Sequence, residues 1–275
     1  YSTNHHQPRH HPSFGLMRVF TDQVGRQITL PDAPPRRIVS LVPSQTELLA
    51  RLGLDEEVVG ITKFCIQPHH WFKSKKRIGG TKDVKIEEVM ALQPDLIIAN
   101  KEENEQGVLE ILGQFAPVWI SDVRSLQQAQ DMIAQVGQLV DKQAEAARLL
   151  QQIQQGFDTI MPSFSGLRVL YLIWYRPWMA AGSDTFIGSI LEQHLGATLC
   201  VPAQPGRYPQ VEETELQSLG PDVVMLSSEP FPFQSKHVDQ IKRLCPEARI
   251  MQVAGDMFSW YGSRLVEAAA YLKAL

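Results

Sequence analysis

The chain has 275 residues, a net charge of -4, 44% hydrophobic residues and 20% charged residues. That is the balance of an ordinary globular protein, long enough for two cores of roughly 110 to 130 residues each. The slight acidity and the lack of a basic run leave no footprint for nucleic acid, and no apolar stretch reaches the roughly 18 residues that a membrane span requires.

Residues 1–16, YSTNHHQPRHHPSFGL, carry four of the eight histidines, His5, His6, His10 and His11, with no core pattern around them. They read as an expression remnant or disordered tail rather than a metal-binding arm. No secretory n-region and apolar h-region is visible; a start at Met17 would favour a cytoplasmic protein, a signal or lipoprotein peptide upstream an exported one. Cys65, Cys200 and Cys245 are odd in number and lack metal-ligand spacing, which excludes a disulfide scaffold.

The folded part opens with an alternating hairpin pattern, RVFTDQVGRQITLP, turning at Gly25. Pro31, Pro34 and Pro35 then stiffen a connector to a strand over 37–42, and Ser44 with Glu47 forms a capping box for a helix from Gln45. A strand over 58–62 follows, then a loop, KFCIQPHHWF, in which Trp71 is expected on the outer side and His69 and His70 at the surface. Helices are predicted over 86–92, 106–115 and 126–140, with strands over 95–99 and 117–120 between them. The stretch 141–161 reads as one helix of about 30 Å, with Ala144, Ala147, Leu150, Ile153, Phe157 and Ile160 as its buried stripe and Gly156 as its weak point.

The chain then repeats itself. Adding 127 to residues 79–102, GGTKDVKIEEVMALQPDLIIANKE, gives 206–229, GRYPQVEETELQSLGPDVVMLSSE, without a gap. Gly79 meets Gly206, Val84 meets Val211, Glu88 meets Glu215, Asp95 meets Asp222 and Glu102 meets Glu229. Upstream, 37–54 matches 168–197 more loosely, each as strand, turn and helix ending at Leu-Gly. Two copies of a βα unit around a helix predict an α/β fold of two Rossmann-like lobes with mainly parallel sheets, 17–140 and 163–275, joined by one long backbone helix over 141–162.

Ligands of such sheets bind beyond the carboxyl ends of the strands, here near residues 42–44, 62–65, 100–103, 173–178, 227–233 and 255–261. The second-lobe ends hold Trp174, Tyr175, Trp178, Phe231, Phe233, Phe258, Trp260 and Tyr261, more rings than strand-end packing needs, and stacking on a large flat ligand would use them. Arg176, Arg264, Lys63, Lys82 and Lys101 lie in or near these loops as candidate anion contacts. Nucleophile elbows, phosphate loops, dinucleotide fingerprints and paired metal-binding histidines are all missing, and Cys65 has no obvious base, so binding rather than catalysis is expected.

The runs RIVSLVPSQTELLARLGL, VVGITKF, IEEVMALQPDLIIA, the central helix and GRYPQVEETELQSLGPDVVML together resemble the substrate-binding proteins of vitamin B12 and ferric-siderophore ABC importers, and look most like the vitamin B12-binding branch. The resemblance covers 18–275 and implies a periplasmic or lipid-anchored receptor, expected to be monomeric. It needs no cofactor, and it captures a metal chelate (cobalamin or another corrinoid, haem or a ferric siderophore) and delivers it to a permease. By alignment Phe64 matches an aromatic ligand contact, Asp256 a polar one, and Tyr208 replaces a tryptophan, whereas Thr81 stands where a second tryptophan is found and Trp260 where an arginine is. The expected ligand set is Phe64, Thr81, Lys82, Lys101, Trp174, Arg176, Trp178, Tyr208, Asp256 and Trp260, with stacking mainly on second-lobe rings and smaller polar contacts from the first lobe. Permease docking in that family uses one surface glutamate per lobe. Glu87 matches the first, the second falls on Thr214, and the repeat of Glu88 onto Glu215 makes Glu215 the substitute. A cytoplasmic chelate sensor and an enzyme acting on a tetrapyrrole-like ligand are the two other classes left open.

Overall fold

The computed structural model describes residues 16–201 and 206–275, so the expectation for the N-terminal tail lies outside the described residues except at Leu16. The hairpin is present as β1 (Met17–Thr21) and β2 (Gln27–Pro31), paired antiparallel. The first lobe continues through β3 (Ile38–Ser40), α1 (Pro43–Arg51), β4 (Val58–Ile61), α2 (His69–Ser74), β5 (Lys76–Arg77), α3 (Ile86–Ala91), β6 (Leu96–Asn100), α4 (Gln106–Leu112), β7 (Val118–Ser121) and α5 (Leu126–Leu139). Its sheet is parallel throughout, in the order β5-β4-β3-β6-β7.

α6 (Gln143–Phe157) leads into the second lobe: β8 (Arg168–Trp174), β9 (Trp178–Ala180), α7 (Phe186–Ser189) running into a π-turn at Ile190–His194, β10 (Thr198–Leu199), β11 (Gln210–Val211), α8 (Glu213–Ser218), β12 (Val223–Ser227), α9 (Ser235–Leu244), β13 (Arg249–Val253), α10 (Asp256–Ser259) and α11 (Leu265–Lys273). This sheet is mixed. β10, β12 and β13 run parallel with β8, but β9 and β11 are antiparallel additions at one edge.

Alternation along each central strand sorts side chains between two cores. Ile97 and Ala99 of β6 face Val89, Leu109 and Leu112 on one side of the first sheet, and Val224 and Leu226 of β12 face Leu216 and Ile241 in the second lobe. The other faces, Leu96 and Ile98 with Val223 and Met225, join a single core running through α5, α6 and α11. The lobes therefore share buried apolar contacts through α6, each large aliphatic side chain contributing about 1.5–3 kcal/mol.

Several local expectations change. The central helix is 15 residues and about 22 Å long, not 30 Å: Asp141, with a left-handed φ of 57°, keeps it from beginning before Gln143, and it ends at Phe157 rather than Met161. Its buried stripe is Ala146, Leu149, Ile153 and Phe157, while Ala144 and Ala147 are exposed. Gly156 is where α6 meets α11: a Cβ there would lie 2.7 Å from the Ala269 Cβ. α1 begins two residues early, with Pro43 inside it and Val42 at the N-cap, so Ser44 and Glu47 make no capping box. The loop after β4 contains α2, and Trp71 is fully buried within it, its Nε1 donating to Asp55 Oδ1 at 2.6 Å.

Candidate ligand-binding cleft

A cavity of about 530 Å³ lies between the lobes. Its first-lobe wall is made by residues just beyond three adjacent strands: Val42 and Ser44 after β3, Phe64 and Ile66 after β4, Glu102 and Glu103 after β6. The opposite wall comes from the ends of β8, β12 and β13, as Ile173, Glu229 and Trp260, with Tyr208 and Tyr261 beside them. The carboxyl edges of the two sheets thus face each other, as the strand-end rule requires.

Buried amides shape the first wall. Asn100 Oδ1 accepts from the Glu102 and Glu103 N–H groups at 2.9 and 3.1 Å, and Asn104 Oδ1 accepts from the Asn100 N–H at 2.9 Å. Asn104 Nδ2 donates to the Thr81 carbonyl at 3.0 Å, so one side chain ties two cleft loops together. Across the cavity, Ser227 Oγ donates to the Glu229 carbonyl at 2.6 Å and accepts from Tyr171. The Glu229 carboxylate receives Trp260 Nε1 at 2.8 Å and Ser259 Oγ at 3.2 Å, both on Oε1. Trp260 and Glu229 are placed as a unit.

Two arginines cross between the lobes. Arg207 donates to Glu102 and, at 2.7 Å, to Asp122 Oδ1. Arg264 lies 2.9 Å from Glu47 and 3.3 Å from Asp256. Burial pushes the Asp122 carboxyl up, but hydrogen bonds from Arg207, Arg124 and Lys101 outweigh it and hold the group at about 2. Glu103 and Glu229 go the other way: burial raises both, Glu103 further through Glu102 and Glu229, while Trp260 and Ser259 only partly offset the rise at Glu229. Burial also pushes the Tyr208 and Tyr261 phenols up, so both rings stay neutral.

Of the expected ligand residues, Phe64, Tyr208 and Trp260 line this cavity, Phe64 with 52% exposure. The others lie elsewhere. Thr81 is buried beneath the loop, and Lys82 and Lys101 turn toward Glu105 and Asp122 on a separate surface hollow. Trp178 is 4% exposed and stacked on Phe233 at 6.2 Å, with Tyr175, Phe231 and His237 completing an aromatic cluster. Trp174 is 39% exposed with its edge on Phe231, and Arg176 rests over Tyr175. Asp256 is engaged by Arg264. Because Trp178 and its neighbours pack on one another, the ring-rich second-lobe loops are partly core, while the first-lobe ring of Phe64, an expected aromatic contact, lines the cavity.

Glu102, Glu103, Glu229 and Tyr261 were absent from the expected set. A signal was present, since the repeat aligns Glu102 with Glu229, and both sit on the cavity wall. Cys65 is enclosed by Thr46 and Thr62 at 3.0 and 3.1 Å, and burial pushes its thiol up. Among the described residues no group of three or more His, Cys, Asp or Glu side chains is arranged to hold a metal ion, and no helix is long and apolar enough to cross a membrane. Glu87 and Glu88 occupy the first turn of α3, Glu88 paired with Lys76 at 2.7 Å. Glu215 lies in the first turn of α8, where its Oε2 accepts from the Glu212 N–H at 2.9 Å and caps its own helix.

Two α/β lobes sharing a core through one helix, with a cavity at their facing strand ends, define a binding protein of the helix-bridged kind. The model of the periplasmic binding protein family matches residues 38–249, and the chain belongs to that family. It is 25% identical over 243 residues to the vitamin B12-binding protein of Pectobacterium carotovorum subsp. carotovorum, covering 86% of this chain and 87% of that one. Its fold is shared with the periplasmic catecholate-siderophore binding protein of Vibrio cholerae, at TM-score 0.77 and 15% identity over 94% of this chain and 100% of the other. A periplasmic heme-binding protein from Roseiflexus sp. RS-1, in apo form, matches at TM-score 0.72 and 21% identity, covering 87% and 97% of the two chains.

Proposed function

We propose that this chain is the extracytoplasmic receptor of an ABC importer, capturing a metal chelate in the interlobe cleft and handing it to a membrane permease. The observation that carries this reading is the cavity of about 530 Å³, lined from both lobes by the rings of Phe64, Tyr208 and Trp260. That volume is in the usual range of small-molecule sites, and the rings supply flat apolar faces for a ligand. The family membership and relatives described as binding vitamin B12, heme and catecholate siderophores support a chelate as cargo. Cys65 is a buried thiol contacted by two hydroxyl groups, which supports capture over turnover. Glu87 on α3 and Glu215 on α8 present one acidic first turn per lobe, which supports them as the permease-facing charges.

Isothermal titration with cyanocobalamin, hemin and an iron(III) tricatecholate tests the reading. At least one is expected to bind, and Trp260→Ala should weaken that binding by about 1–3 kcal/mol, as for a buried aromatic anchor. Failure of every chelate to bind would overturn the receptor function. For docking, Glu87→Gln with Glu215→Gln removes both charges while glutamine keeps the helix cap. Reconstituted uptake should slow with ligand affinity unchanged, and uptake at the parent rate would remove these residues from the interface.

A further inference from the structure

The cleft is charged in one sense only. Its walls carry Glu102, Glu103 and Glu229, and among the described residues that line it there is no Lys, Arg or His. The cations nearby are committed elsewhere. Arg207 pairs with Glu102 and Asp122, Lys82 reaches the Glu102 carbonyl and Glu105, and Lys101 and Arg124 hold Asp122. Lys63 lies over the Phe64 ring at 5.2 Å, and Arg264 bridges Glu47 and Asp256.

Glu102 is thereby neutralised, but among the described residues neither Glu103 nor Glu229 forms an ion pair, and Lys82 near Glu103 and Arg264 near Glu229 only partly offset the rise caused by burial. They approach from opposite lobes closely enough for Glu229 to raise Glu103, on top of the effects of burial and Glu102. Glu229 spends one oxygen, Oε1, on Trp260 and Ser259, and among the described residues the Glu103 carboxylate accepts no hydrogen bond. Two under-partnered acids in a partly water-excluded space repel anions and attract N–H donors more strongly than they would in bulk water.

Resting on the receptor reading, we propose that the cleft selects neutral or cationic chelates bearing peripheral amide or ammonium groups and discriminates against polyanionic ones. Glu103 and Glu229 receive those N–H donors from opposite lobes while Phe64 and Trp260 stack on the apolar body between them. The acids act here as specificity determinants, not as metal ligands.

The test compares aquacobalamin (cationic at the metal, with amide arms), cyanocobalamin (neutral, with the same arms), hemin (two propionates) and an iron(III) tricatecholate (trianionic) by isothermal titration. The two cobalamins should bind at least about tenfold more tightly than the anionic probes, the size of effect expected from hydrogen bonds to charged groups. Glu103→Gln and Glu229→Gln should each narrow that gap, weakening cobalamin binding and improving trianion binding, while Glu87→Gln leaves it unchanged. Raising ionic strength to about 1 M should narrow the gap for the parent too, a measurement that depends on no variant folding. Tighter binding of hemin or the tricatecholate than of the cobalamins would overturn the proposal while leaving the receptor function standing. So would a gap that neither glutamine variant nor salt alters. Binding of no probe would instead overturn the receptor reading and the charge selectivity with it.

Discussion

In the first lobe, Asp95 accepts from the Arg36 and Arg37 N–H groups at 2.7 and 2.9 Å, and Arg37 Nε donates to the Leu92 carbonyl at 2.7 Å. In the second, Asp222 accepts from the Arg168 N–H at 2.7 Å, and Arg168 donates to the Gly220 and Leu219 carbonyls at 3.1 and 2.7 Å. The same clamp ties a strand start to a preceding helix end in both lobes. At the opposite edge the lobes part. Thr81 is buried under Asn104, whereas its repeat partner Tyr208 lines the cavity, and only the second sheet gains the antiparallel β9 and β11. Duplication preserved the end of the sheet where backbone groups demand partners, and left free the end where loops meet a ligand.

The strongest way to break that comparison is through two tryptophans in cleft-edge segments. Trp71→Ala should cost about 3–5 kcal/mol of stability in urea denaturation, because removing a fully enclosed ring leaves a cavity. Trp174→Ala, which loses an edge contact with Phe231, should cost about 1 kcal/mol. Similar losses would mean that the two loops pack alike and that the contrast between them is wrong.

Gly79 and Gly206 sharpen it further. They share the repeat position and nearly the same φ, 99° and 98°, so alanine at either incurs about 1–2 kcal/mol of backbone strain. A Cβ at Gly79 would also lie 2.2 Å from the Asp83 carbonyl oxygen, while at Gly206 nothing among the described residues lies within 4 Å. Gly79→Ala should therefore be the more damaging by about 1–3 kcal/mol, read from the shift in denaturation midpoint. A larger loss at Gly206 would contradict the equivalence of the two turns.

The smallest effect concerns one of the two arginines that join the lobes. Asp122 is held at about 2, below the ordinary carboxylate value, so its contribution to stability is complete above the unfolded pKa and is lost as pH falls toward 2. Arg207→Ala removes the largest of its hydrogen-bond partners and should raise the Asp122 pKa, moving that loss to higher pH. Carbon-detected NMR titration of the Asp122 carboxyl measures the shift. An unchanged pKa would assign the depression to Arg124 and Lys101 instead.

Much of the scaffold was legible because its signals are local. Alternating strands and helices, the turn at Gly25 and the gapless repeat at an offset of 127 predict the two lobes, and the element boundaries fall within a few residues of the expected ones. The candidate cleft was legible only in outline. Strand ends named loops that line the cavity, but ring content did not distinguish Trp260, which lines it, from Trp178, which stacks on Phe233. Both are tryptophans in aromatic loops, and burial depends on what the rest of the chain places against them. Glu47 shows the same limit. Its spacing from Ser44 imitates a capping box, yet α1 includes Pro43 and the carboxylate pairs with Arg264, 217 residues away.

By itself the sequence determined the order of elements, the duplication and the edge of each sheet on which a ligand would lie, since hydrophobic period and turn residues act over a few positions. Only the tertiary structure decided that Glu103 and Glu229, from opposite lobes, line one cavity. Charge has no partner in one dimension, and the approach of two loops 126 residues apart is set by the shared core beneath them.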